Sequence, residues 1–155
     1  MKILPEQMRL YAVTDRTWLH GRKLIDVVSE AIDGGATFVQ LREKSHLEGM
    51  ELSGEELLAE AKKLAQLCHE RGVLFVIDDD VELALEAGAD GIQIVEPNCS
   101  LISPKFYEAN IMPLHKQMVD LIQSKKNGFA RLHVCGDTSA LMPYTLGTGT
   151  HILDV

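Results

Sequence analysis

The residues best equipped for chemistry lie in Phe38–Lys44, FVQLREK. Phe38, Val39 and Leu41 read as a buried strand, and Gln40, Arg42 and Lys44 alternate along it. Alternate residues of a strand point the same way. A buried amide and two cations need partners, so such a strand belongs at a barrel mouth, where it runs out into a pocket. Arginine offers a fork for phosphate or carboxylate, and lysine a mobile point charge. A second group, Asp78, Asp79 and Asp80, follows the apolar run Val73–Ile77. Acids this close need a metal, a base or water between them. Magnesium with a bound phosphate is one reading; a helix cap plus two solvated acids is the other. Thr14-Asp15-Arg16, just past an earlier strand, could border a site or form a loop ion pair.

The whole chain limits what these residues can serve. Its 155 residues suffice for one domain with a sizeable core. An apolar content of 46% makes it globular rather than disordered. The net charge of -8 argues against general nucleic-acid binding. No apolar run reaches the ~18 residues of a membrane span, and the first ten residues, broken by Pro5 and Glu6, have no signal-peptide core. A cytoplasmic location is expected. Cys68, Cys99 and Cys135 are widely spaced and odd in number, which suggests free thiols or a ligand rather than a disulfide framework.

Periodicity supplies the elements that position these groups. Leu10–Val13, Phe38–Lys44, Val73–Ile77, Gly91–Val95, Phe129–Val134 and His151–Val155 read as strands. Helices are expected over Arg22–Ile32, Ser53–Glu70, Val81–Glu86, Pro104–Ser124 with a kink at Pro113, and near Ser139–Tyr144. Ser53 with Glu56 makes a capping box, and Asp80 can cap the third helix. Cys68, Met112 and Met118 read as core fillers. His69 and His115 read as surface or capping groups, Trp18 as a packing residue at a helix start, and Glu48, Glu51, Glu55 and Glu56 as a solvated face. The alternation predicts an α/β fold of TIM-barrel-like (βα) repeats. Its six or so parallel strands would make an incomplete or small barrel, open or completed by dimerisation through strand edges. One domain over 1–155 is expected. Neither GxGxxG nor GxxxxGK occurs, so nucleotide-fold fingerprints give no support.

Residues 10–91 resemble thiamine-phosphate synthase. The matching pieces are Leu10–Arg16 (LYAVTDR), Gly34–Thr37 (GGAT), Val39–Lys44 (VQLREK), Gly72-Val73, Asp79–Ala84 (DDVELA) and Gly88–Gly91 (GADG). The resemblance implies a magnesium-dependent transferase that joins hydroxymethylpyrimidine pyrophosphate to thiazole phosphate and releases pyrophosphate. Gln40, Arg42 and Lys44, with Asp78 beside them, would hold the pyrophosphate, and Arg42 and Lys44 would be catalytic. Asp79 would ligate magnesium. The family has Asn where this chain has Asp78. It also carries a further acid near the end of the next strand, for which Glu96 is a weak substitute. Its later phosphate loops have no counterpart here, which implies impaired activity.

Residues 89–155 resemble the uroporphyrinogen decarboxylase and corrinoid methyltransferase superfamily, through Asn98–Phe106 and Arg131–Thr138. That resemblance implies zinc held by His133 and Cys135, which share one strand face, with Cys99 as a weak third ligand. Together the two resemblances imply a chimera of two barrels joined near residues 88–96. Three readings follow: an impaired synthase acting on a small phosphorylated substrate, a zinc-dependent methyltransferase or decarboxylase fragment, and an inactive barrel scaffold.

Overall fold

The computed structural model describes residues 3–44, 52–126 and 128–154. Glu48 and Glu51 of the expected acidic face lie outside these residues. The fold class is the expected one, α/β with (βα) repeats and six parallel strands among the described residues. The chain divides into two compact units, Lys2–Asp90 and Gly91–Val155.

In the first unit the order is β1 (Tyr11–Val13), α1 (Leu24–Asp33), β2 (Phe38–Leu41), α2 (Gly54–Glu70), β3 (Leu74–Asp78) and α3 (Val81–Ala87). β2 pairs in parallel with both β1 and β3, placing Val39 opposite Ala12 and Phe75, and Gln40 opposite Val13 and Val76. All residues of β2 and β3 are buried, the pattern of parallel strands covered on both faces. Ala61, Leu64, Ala65 and Cys68 form the buried stripe of α2, and Leu24, Val28 and Ile32 that of α1. Each large apolar side chain buried this fully contributes about 1.5–3 kcal/mol. Ser53 Oγ accepts from the Glu56 N–H while the Glu56 carboxylate accepts from the Ser53 N–H at 2.9 Å, closing the capping box that starts α2. Asp80 caps α3 by accepting from the Leu83 N–H at 2.9 Å. β1 is paired along β2, with Leu10 and Val13 half-exposed beside it, so its other edge is open among the described residues.

The second unit contains β4 (Gly91–Glu96), α4 (Pro104–Phe106), a π turn (Tyr107–Ile111), α5 (Met112–Lys126), β5 (Phe129–Val134), α6 (Met142–Leu146) and β6 (Ile152–Asp154). β5 pairs in parallel with β4 and β6, setting Gln93 opposite Arg131 and His133 opposite Asp154. Tyr107, Leu132, Val134, Leu141 and Cys99 form its core. Gly91 is required by packing: a Cβ there would lie 2.4 Å from the Phe129 carbonyl oxygen.

The kink expected at Pro113 is accommodated one turn earlier. Proline cannot donate to the residue four back and its ring crowds that turn. The preceding turn widens to π spacing, and the Met112 N–H donates to the Tyr107 carbonyl. This widening accompanies a correction to the sequence reading. His115 is 4% exposed, not a surface group, and its Nδ1 lies 2.9 Å from the Tyr107 hydroxyl. Burial holds its pKa below the ordinary 6.5, against the pull of Glu96. Met118 is half-exposed rather than a core filler, while Met112 does pack against the core. Trp18 is 74% exposed and meets His20 edge-on.

Two outcomes test this packing. Gly91→Ala should lower the unfolding free energy by about 1–3 kcal/mol in urea titrations. For His115 the folded pKa lies below the unfolded one, so the unfolded chain takes up the proton first as pH falls. Stability conferred by the neutral imidazole is present above the unfolded value of 6.5 and is lost as pH falls toward the folded pKa. Between about pH 7 and about pH 5, wild type should lose stability more steeply than His115→Gln, by up to about 1.4 kcal/mol per pH unit.

Candidate functional site

The strand ends of the first unit converge on one buried carboxylate. Asp78 ends β3 with its side chain 1% exposed. Gln40, buried within β2, donates from Nε2 to Asp78 Oδ1 at 2.8 Å and accepts from the Tyr11 hydroxyl at 3.0 Å. Lys44 Nζ lies 2.9 Å from Asp78 Oδ2 and 2.6 Å from Asp79 Oδ2. Arg42 stands further out, its Nε 3.9 Å from Asp78 and its Nη1 3.9 Å from Asp15. Gln40, Arg42 and Lys44 thus all turn toward Asp78, as alternation from a strand predicts, although β2 itself stops at Leu41.

These contacts divide the labour. Gln40 uses both ends of its amide within the protein and fixes the Asp78 carboxylate. Burial works against the Lys44 charge, but the hydrogen bonds it donates to Asp79 and Asp78 outweigh that and hold the ammonium above its ordinary pKa. The Arg42 side chain is 41% exposed, and both of its carboxylate neighbours stand at 3.9 Å, beyond hydrogen-bond distance. Its backbone N–H is anchored on Thr14 Oγ1 at 3.0 Å, and the Thr14 N–H on the Gln40 carbonyl at 3.0 Å. Asp79 adopts a left-handed backbone, φ 59°, which presents its half-exposed carboxylate beside Lys44.

Asp15 and Arg16 do not pair with each other. Asp15 accepts from the Thr17 N–H and hydroxyl, which lowers its pKa. Arg16 holds Glu43 bidentately, at 2.9 and 3.1 Å, and also Glu60 of α2. Tyr11 was missed as a supporting residue, because nothing in a short strand marks which hydroxyl meets an amide 29 positions away.

In the second unit, Glu96 accepts from the Asn98 N–H at 3.1 Å and faces His115 Nε2 at 3.9 Å. Cys99 is a core residue; burial and then the Glu96 carboxylate push its thiol up to about 12. His133 and Cys135 do meet, Nε2 to Sγ at 3.2 Å. Among the described residues no group of three or more His, Cys, Asp or Glu side chains is placed to hold a metal ion.

The model of the family described as thiamine monophosphate synthase matches residues 10–103. A thiamine-phosphate synthase of Albidiferax ferrireducens is 42% identical over 89 residues, 57% of this chain and 38% of that protein. One from Bacillus thuringiensis (strain Al Hakam) is 50% identical over 70 residues, 45% of this chain and 31% of that protein. The bifunctional thiamine biosynthetic enzyme of Arabidopsis thaliana is 39% identical over 94 residues, 58% of this chain and 16% of that protein. The chain therefore spans well under half the length of these curated relatives. Among solved structures, a thiamine phosphate pyrophosphorylase from Pyrococcus furiosus aligns with 97% of this chain and 86% of its own, at TM-score 0.55 and 22% identity, a likeness of fold.

These matches overturn the two-family chimera. The family model runs without a break through residues 88–96, where the junction was expected, and the fold likeness extends over nearly the whole chain. The uroporphyrinogen decarboxylase resemblance rested on short His-x-Cys and Ser-Pro pieces, which strand and helix-start physics also produce. The chain belongs to the thiamine monophosphate synthase family.

Proposed function

We propose that the first unit binds the pyrophosphate of a phosphorylated pyrimidine and serves a transferase that joins it to thiazole phosphate with release of pyrophosphate. The observation that carries this reading is the convergence of Arg42 and Lys44 on Asp78, with Asp79 alongside, at the C-terminal strand ends. That is where barrel enzymes build their sites.

In this reading Arg42 grips the pyrophosphate through its fork, and Lys44 exchanges one of its carboxylates for a phosphate oxygen. Both oppose the negative charge that grows on pyrophosphate as its bond to the pyrimidine carbon breaks. Gln40 keeps Asp78 in register and touches no ligand. Asp79, half-exposed at the strand ends, offers the hard oxygen donor that magnesium takes together with substrate phosphates. Bound there, magnesium would neutralise part of the charge of the leaving pyrophosphate.

Charge balance gives magnesium a part in this reading. Asp15, Asp78 and Asp79 face Arg42 and Lys44, three negative charges against two positive, which leaves one net negative charge. Pyrophosphate alone meets repulsion, and the two positive charges of a magnesium ion reduce it. Asp78 also replaces a neutral amide with a buried anion and so weakens the site.

Calorimetric titration tests the reading. Pyrophosphate with magnesium should bind in the micromolar range and pyrophosphate alone should give no heat. Arg42→Ala should weaken binding by more than tenfold, the loss of a charge-assisted fork of about 1.5–3 kcal/mol. Absence of heat with magnesium up to millimolar ligand would remove the proposal. Asp78→Asn keeps the shape and the acceptor for Gln40 but deletes the anion, and should tighten binding about tenfold, or about 1.4 kcal/mol.

A further inference from the structure

We propose that Cys135, His133 and Asp154 form a nucleophilic thiol site in the second unit, one that takes an acyl group from an activated ester or thioester. The three side chains are joined in series. His133 Nδ1 lies 2.7 Å from Asp154 Oδ2, and its Nε2 lies 3.2 Å from Cys135 Sγ. A carboxylate can only accept from the imidazole, so Nδ1 carries the hydrogen and Nε2 presents its lone pair to the thiol. This is the arrangement in which a base activates a nucleophile while a third group orients the base.

The strand register builds the series. His133 and Asp154 are partners in the β5–β6 ladder, and Gln93 and Arg131 are partners in the β4–β5 ladder. Arg131, 7% exposed, touches both the Gln93 amide and Asp154 Oδ2, the same oxygen that meets His133. The carboxylate is thereby held between a buried guanidinium and the imidazole. Asp154 and Arg131 are positioning residues, and Cys135 and His133 would touch the acyl group.

Access separates this cysteine from the others. Cys68 and Cys99 are buried, and burial pushes both thiols up to about 12. Cys135 is partly exposed, His133 is 31% exposed and Asp154 38%. A reactive thiol needs both a basic neighbour and a route to solvent.

The step is balanced. The Cys135 thiol proton passes to His133 Nε2 as the sulfur lone pair forms a bond to the carbonyl carbon. The bond from that carbon to the leaving oxygen or sulfur breaks. The alcohol or thiol departs with that electron pair and the proton from Nε2, leaving a thioester on Cys135.

The probes are p-nitrophenyl acetate and iodoacetamide, used on the full chain at neutral pH with peptide mapping by mass spectrometry. One equivalent of nitrophenolate should be released in a burst, with one acetyl group on Cys135. Iodoacetamide should label Cys135 and spare Cys68 and Cys99, whose protection reports that each variant is folded. His133→Ala should slow both reactions by about tenfold or more. Asp154→Asn should slow both reactions, and Asp154→Glu should restore part of the rate, a rescue that loosened packing alone would not give. A Cys135 labelling rate equal to that of N-acetylcysteine and unchanged in folded His133→Ala would overturn the site. So would stoichiometric zinc that survives dialysis and blocks labelling until it is chelated.

Discussion

A carboxylate buried at the end of β3 sets the terms for the first unit. Asp78 is almost wholly withdrawn from water, and an unpaired charge there would cost several kcal/mol. The fold meets that cost with an amide from mid-strand β2 and an ammonium from just beyond it. Gln40 is fixed in turn by Tyr11 on β1. The three strands of this unit are therefore tied at their ends by polar contacts as well as through their ladders. Removal of any one partner leaves a buried group unsatisfied.

The second unit solves a related problem with the opposite sign. Its buried charge is the Arg131 guanidinium, partnered by an amide on β4 and a carboxylate on β6. In both units a buried polar side chain on a strand flanked by two others, Gln40 on β2 and Arg131 on β5, takes its partners from the strands on either side. Parallel pairing makes this possible, since it places residues of successive strands side by side at the same end. Local conformation determines which side chains can reach each other, and charge determines which of them must.

Much of this was legible in the chain. The alternation of Gln40, Arg42 and Lys44 showed a common direction, and the Ser53–Glu56 spacing showed where α2 begins. Phe129–Val134 read directly as β5. These are signals carried by near neighbours. What escaped was long-range. The role of Asp154 depends on a register with His133 set 21 residues earlier. His115 sits in a polar stretch of its helix, and its hydroxyl partner, Tyr107, lies eight residues back in the π turn. Arg16 looked local because Asp15 stands beside it, yet its partners are Glu43 and Glu60. The junction expected near residues 88–96 rested on two short pieces, Asn98–Phe106 at a helix start and Arg131–Thr138 at a strand end, whereas the family match is continuous over residues 10–103.

The left-handed backbone of Asp79 has a consequence for the evolvability of this protein. A side chain held at φ 59° costs roughly 1 kcal/mol that glycine would not. Screening for thermal tolerance alone would therefore reward replacement of the residue that presents a carboxylate to Lys44. Laboratory evolution of a hardier variant would drift toward a molecule that survives heating better and has lost its acid at the strand ends. Position 79 is thus one at which screens for robustness and for ligand binding pull in opposite directions.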